Sequence, residues 1–212
     1  QIFVVEQAFA AALGTGLPVY EPQGSFIVDI GGGTTEVALV SMGGVVLSHS
    51  VRVAGNKIDE AIAGFLKKQH AILVTDRVAE QIKFDLADVR SERKMEHIAV
   101  VRGRDIATGM PLTVDVNMAK VSEAIREPIQ EILGAIKWVL GRIPPELCAD
   151  ILQNGIFLTG GSAALPNLDT MIATEFGVPV SVARDAGECT TLGAGYMADH
   201  FDMLGGISGK AE

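Results

Sequence analysis

Phe26-Ile27-Val28-Asp29-Ile30-Gly31-Gly32-Gly33-Thr34-Thr35-Glu36-Val37 decides how this chain is read. An apolar run reaches a carboxylate, then three glycines, then two hydroxyls, and returns to apolar residues. That order predicts a strand, a tight turn and a second strand, with Asp29 at the tip of the first and therefore outside the core. Glycines let the backbone approach a ligand closely and turn its N–H groups toward an anion. A carboxylate beside phosphates points to Mg²⁺ held through water between the two negative groups. Read by itself, the stretch also fits a plain glycine hairpin with a solvated aspartate, so its weight depends on its company.

That company begins with Ile156-Phe157-Leu158-Thr159-Gly160-Gly161-Ser162, a second apolar run into a hydroxyl and paired glycines, followed by a helical segment from Leu165 to Phe176. Two such turns can face one nucleotide, one at its phosphates and one at its nucleoside. A third piece, Asp76-Arg77-Val78-Ala79-Glu80-Gln81-Ile82-Lys83, predicts a helix with Glu80 and Lys83 on one face. In an isolated helix that spacing reads as a solvated ion pair.

Between these pieces, Glu6 to Leu13 reads as an alanine-rich helix ended by Gly14 and Gly16. Strands follow at 26–30, 36–41 and 45–53. Lys57 to Gln69 is amphipathic, with Ile58, Ala61, Ile62, Phe65 and Leu66 on one face. A helix runs from Asp76 to Leu86, the charged segment 88–95 is a loop, and strands lie near 97–102 and 112–116. Met118 to Leu140 is one long helix or two abutting ones, bent or interrupted at Pro128 and stopped by Pro144-Pro145. The Gly- and Ser-rich tail is expected to be disordered.

A net charge of −9, with scattered Lys and Arg, argues against a nucleic-acid surface. The two cysteines, Cys148 and Cys189, read as small buried hydrophobes of a reducing compartment. His49, His70, His97 and His200 lack metal-ligand spacing, and no run of about 18 apolar residues marks a membrane span.

Val5-Glu6-Gln7-Ala8-Phe9-Ala10-Ala11-Ala12-Leu13-Gly14, the Asp29 to Val37 turn, Pro144-Pro145-Glu146-Leu147 and Leu158-Thr159-Gly160-Gly161 together resemble the MreB family of bacterial actin homologues. Val51-Arg52-Val53-Ala54-Gly55 and Asp59-Glu60-Ala61-Ile62 fit it as well, and the resemblance runs to about Met203. It implies an α/β, actin-like (ribonuclease H-like) core subdomain with a mixed sheet, residues 1–56 and 119–204, interrupted by a small α+β subdomain, residues 57–118. Residues 205–212 form the tail. No second Asp-x-Gly phosphate loop precedes Asp29, and 212 residues are ample for one core yet short for the complete two-domain fold. The chain is therefore expected to be one half of a nucleotide clamp, whether a fragment, a proteolytic product or a truncated paralogue.

By this resemblance the cofactors are ATP and Mg²⁺. Asp29 holds the metal-bound water, Gly31, Gly32 and Gly33 form the second phosphate loop, and Thr34 helps place the attacking water. Glu80 and Lys83 line the ribose and adenine, and Gly160 and Gly161 form the adenosine turn. Two positions depart from the family pattern. Gln7 stands where a glutamate usually positions or activates water, so it orients water without accepting its proton. Ser162 replaces a third glycine. The implied function is a cytoskeletal ATPase that polymerises head to tail, in contact with membrane-associated cell-wall synthesis or scaffold proteins, cytoplasmic and carried to the membrane by a segment outside this portion. The alternative is a divergent scaffold paralogue, such as an organelle-positioning filament, that uses nucleotide as a switch with little turnover. This portion by itself is expected to lack ATPase activity.

Overall fold

The computed structural model describes residues 3–89, 98–200 and 209–210. Its centre is strand β2 (Ser25–Ile30), buried at all six positions. A strand covered on both faces reads as a continuous apolar run, which is why 26–30 was legible. β2 pairs antiparallel with β3 (Thr35–Ser41) and parallel with β8 (Ile156–Thr159). With β4 (Gly44–Val51) and β9 (Val180–Val182) they form a mixed sheet in the order β4-β3-β2-β8-β9.

Side chains alternate across a strand, so the two faces of β2 build two cores. Phe26, Val28 and Ile30 join the larger core, which includes Ile129, Ile132 and Ile136 of α5 (Arg126–Leu140). Ile27 points the other way, to Ala8, Phe9, Ala11 and Ala12 of α1 (Gln7–Gly14) and to Met197 of α8 (Cys189–Asp199). α1 and α8 meet through glycine. A Cβ on Gly193 would stand 1.8 Å from the Ala10 carbonyl oxygen, and one on Gly14 1.8 Å from that of Cys189.

After β4 the chain enters α2 (Gly55–His70), whose Ile58, Ile62 and Leu66 are buried as the periodicity requires. α3 spans Asp76–Leu86. A three-stranded antiparallel sheet, β5-β6-β7, comprises Ile72–Leu73, Ile98–Asp105 and Pro111–Asn117. The expected 88–95 loop falls mostly outside the described residues.

Several expectations are corrected. The break in the 118–140 segment falls at Ile125, between α4 (Met118–Ala124) and α5, not at Pro128. Pro128 lies in the first turn of α5, where its missing N–H forfeits no helical bond. α5 ends at Leu140 with Gly141 beyond it, and Pro145 instead opens a further helix, α6 (Pro145–Asn154). The helix expected over 165–176 starts three residues later, as α7 (Leu168–Phe176), and a 3₁₀ turn at Gly161–Ala164 precedes it. Cys148 is exposed, whereas Cys189 is buried as expected. Of the tail expected to be disordered, Gly209–Lys210 form a two-residue strand, β10, antiparallel to β1 (Phe3–Val4); backbone pairing needs no apolar side chain there. The rest of 205–212 lies outside the described residues.

Candidate functional site

Asp29 shares the face of β2 that carries Ile27, so it looks toward α1 and α8 rather than into the solvent expected at a strand tip. It is 3 % exposed. Three side chains from three elements donate to its carboxylate. Gln7 Nε2 lies 2.7 Å from Oδ2, Thr190 Oγ1 3.3 Å from Oδ2, and Thr159 Oγ1 3.2 Å from Oδ1. A carboxylate offers about four lone-pair positions, so capacity for one further donor, such as a water, remains. Glu36 stands directly opposite Asp29 in the β2–β3 register. Burial, and then the Asp29 charge, push the Glu36 carboxyl above its ordinary range, while the Ala8 backbone N–H pulls it down. Burial and Asp29 likewise raise the Cys189 thiol.

The first glycine turn leaves β2 beside this cluster. The Gly31 N–H is used inside the turn, on the Thr34 carbonyl at 3.0 Å. The Gly31 and Gly32 carbonyls accept the Gly55 and Asn56 N–H groups at 3.1 and 2.8 Å, capping α2, which has no side-chain cap. Gly32 and Gly33 are exposed, and among the described residues their own N–H groups meet no acceptor. Gly33 has no neighbour within 4 Å of a would-be Cβ, so no protein contact demands glycine there. What it keeps clear is the approach to the turn. Thr34 is half-buried at the same turn. Thr35, not singled out from sequence, donates to the Val53 carbonyl at 2.6 Å and ties the second strand down.

The second turn docks onto the first. Thr159 pairs with Asp29 in parallel register. Gly160 has φ +83°, and a Cβ there would lie 2.3 Å from the Ile30 carbonyl oxygen and 2.6 Å from Asp29 Oδ1, so glycine is obligatory. Gly161 opens the 3₁₀ turn and is exposed. Ser162 Oγ donates to the Gly31 carbonyl at 2.8 Å, joining the two turns directly.

Lys83 and Glu80 separate. Glu80 is exposed, whereas Lys83 is 2 % exposed and turned inward. Its ammonium lies 3.1 Å from each oxygen of Asp59, donating to Oδ2, and the solvated Glu80–Lys83 pair of an isolated helix is not formed among the described residues. Burial holds the Asp59 carboxyl above its ordinary range, with Lys83 pulling the other way. Lys83 nonetheless borders the joined turns, since a Cβ on Gly55 would meet Lys83 Nζ at 3.3 Å and Ser162 Oγ at 2.5 Å.

The structure thus brings Gln7, Asp29, Gly31, Gly160, Ser162 and Lys83 into one neighbourhood. Sequence reasoning missed Glu36, Asp59, Thr159 and Thr190. Glu36, Thr159 and Asp59 lie inside the quoted stretches and were open to notice, although only packing shows that Asp59 meets Lys83; Thr190 carries no local signal. Among the described residues, no group of three or more His, Cys, Asp or Glu side chains is placed to hold a metal. A divalent cation here fits only as a partner of Asp29 through water and of a ligand's phosphates. No helix among the described residues is long and apolar enough to cross a membrane.

The chain is similar in sequence and fold to known proteins. Over 203 residues the chain is 43 % identical to the cell shape-determining protein Mbl of Bacillus subtilis, covering 96 % of this chain and 61 % of that protein. Over 206 residues it is 43 % identical to the cell shape-determining protein MreB of Escherichia coli K12, covering 97 % and 59 %. The chain therefore spans about three-fifths of the length of these relatives. The crystal structure of MreB5 of Spiroplasma citri bound to AMPPNP superposes with a TM-score of 0.86 at 32 % identity, over 93 % of this chain and 59 % of that one. The MamK double helical filament matches at a TM-score of 0.70 and 23 % identity, a likeness of fold. The sequence profile of the MreB/Mbl protein family matches residues 1–206, and the chain belongs to that actin-like family of cell shape-determining proteins.

Proposed function

We propose that the chain supplies one side of the nucleotide clamp of a filament-forming, actin-like ATPase that organises cell shape. The observation that carries this reading is the 2.8 Å bond from Ser162 to the Gly31 carbonyl, which joins two glycine turns far apart in sequence. In the proposed complex, Gly32 and Gly33 turn free N–H groups to the phosphates of ATP, and Asp29 holds Mg²⁺ through water. The ion neutralises phosphate charge when bound. Thr34 and Gln7 place the attacking water, Gly160 and Gly161 face the adenosine, and Glu80 lies toward the sugar. Lys83 acts from the Asp59 pair, as part of the wall rather than as a free cation. AMPPNP and ADP in the Spiroplasma citri MreB5 structures support a nucleotide in this neighbourhood.

The division into a core subdomain, 1–56 and 119–204, and an inserted one, 57–118, belongs to the same proposal. So does head-to-tail assembly between the inserted subdomain of one subunit and the core subdomain of the next. Partners at the membrane are cell-wall synthesis or scaffold proteins.

The test is sedimentation and negative-stain microscopy. The full-length protein is expected to pellet as filaments with ATP and Mg²⁺. The 212-residue chain, lacking the opposing charge-assisted phosphate contacts, is expected to bind ATP weakly and to stay monomeric or in small oligomers. Long filaments from this chain regardless of nucleotide, or micromolar ATP affinity by calorimetry, would overturn the reading.

A further inference from the structure

A cleft lies away from the glycine turns, between α3 and the flank of β6. It has a volume of about 390 Å³, and its walls are Val78, Ile82 and Leu86 on the helix side and the consecutive residues 99–102 on the strand side. Consecutive strand residues point to opposite faces, so a cleft that touches all four lies along the strand's edge and not over either face.

That edge is open. β6 spans Ile98–Asp105, but β5 pairs with Arg104 and Asp105 only. Backbone groups alternate in direction along an antiparallel strand. The Asp105 N–H bonds Met110 on the β7 side, while the Ile106 N–H bonds Ala71 on the β5 side. By that alternation Ile98, Val100 and Arg102 turn their N–H and C=O groups away from β7 and into the cleft. Among the described residues none of these groups has a partner. The lips carry the exposed guanidiniums of Arg77 and Arg102, which form no ion pair among the described residues, while the Asp85 carboxylate is occupied by Gln81 at 2.8 Å.

We infer that the edge of β6 at Ile98–Arg102 is a strand-addition site for an extended acidic–apolar segment of a partner protein. Main-chain bonds to Ile98, Val100 and Arg102 supply affinity. Alternate apolar side chains enter between Val101 and the α3 residues, and acidic side chains meet Arg77 and Arg102. About six residues, roughly 20 Å of strand, match the length that β5 leaves uncovered.

The probe is an N-acetylated, C-amidated alternating Glu–Val hexapeptide titrated into the 212-residue chain, read by NMR amide exchange. Slowed exchange at Ile98, Val100 and Arg102 is expected. Val100→Pro removes an N–H that faces the cleft and leaves the β7 ladder intact; it should weaken binding about tenfold. In case that variant fails to fold, the same peptide N-methylated at alternate residues must lose affinity for the unaltered chain. The double change Arg77→Glu with Arg102→Glu should shift preference to a Lys–Val peptide. Binding that survives N-methylation, protection confined to residues outside β6, or protection of these amides by self-association without peptide would each overturn the proposal.

Discussion

Gln7 donates a 2.7 Å hydrogen bond from Nε2 to Oδ2 of Asp29. An ionised carboxylate only accepts, so this contact fixes which end of the amide faces Asp29. A glutamate at position 7 would set two carboxylates at that distance, and one would have to hold a proton or recruit a cation. The amide therefore keeps the pair joined without metal. Gln7→Glu is expected to lower the melting temperature at pH 7 to 8 in chelator and to recover it with added Mg²⁺. Gln7→Ala, at an exposed position where water can take over the bond, should lose about 0.5–1.5 kcal/mol whatever the cation. Equal melting temperatures for Gln7→Glu with and without divalent cation would remove the electrostatic account.

Asp29 is a structural knot as well as a candidate ligand. Removing its carboxylate takes the acceptor from buried Thr159 and half-buried Thr190, while the exposed Gln7 amide turns to water. Thr159 keeps only the Val28 carbonyl at 3.5 Å. Asp29→Ala is expected to destabilise by about 1–3 kcal/mol or more, contrary to what a solvated strand tip would predict. Asp29→Asn keeps an acceptor and much of the volume and should cost less. Urea denaturation of both variants decides, and an Asp29→Ala midpoint equal to the parent's would refute the knot. Functional tests at this position belong to the asparagine variant.

The parts legible in the sequence are those whose physics is local. β2 announces itself because both faces are buried, and α2 because Ile58, Ile62 and Leu66 repeat with the helix. α8 was invisible for the opposite reason. Thr190, Thr191, Gly193 and Gly195 are poor helix formers, and the helix exists because Gly193 lets it lie against α1. Pro128 misled because a proline in a helix reads as a break, although the first turn accepts it. The site divides the same way. Both glycine turns were readable as motifs, whereas Asp59 beneath Lys83 and Thr190 beneath Asp29 meet their partners only through tertiary packing.

The α1–α8 crossing positions Gln7 and Thr190 on one carboxylate, so disturbing it should reach the site. In Gly193→Ala the new methyl would fall 1.8 Å from the Ala10 carbonyl oxygen, and backbone must move. A loss of about 1–3 kcal/mol is expected. Gly195, with nothing within 4 Å of its would-be Cβ, is the control, and its change to alanine should be neutral or stabilising. Paired denaturation curves check this; similar midpoints for the two variants would show that the helices do not depend on close approach.

Glu36 gives the site a pH signature. Burial and Asp29 raise its pKa in the folded chain, so folding disfavours its ionised form. The sign follows. Below the ordinary carboxylate value of about 4.3 both states are protonated and Glu36 costs nothing. As pH rises from there to the raised folded value, the unfolded state sheds its proton first and stability falls. Above the folded value the penalty is constant. Glu36→Gln removes the charge while its amide oxygen still accepts from the Ala8 N–H. The variant is therefore expected to be more stable than the parent at pH 7, with the difference shrinking toward zero as pH falls to about 4. Asp59, whose pKa is also raised, is common to both proteins and cancels in the comparison. Urea midpoints measured in parallel from pH 4 to pH 8 test the claim. A difference independent of pH would show that folding does not shift the Glu36 pKa, and a parent that gains on the variant as pH rises would show that the ionised Glu36 is held favourably; either outcome refutes the claim.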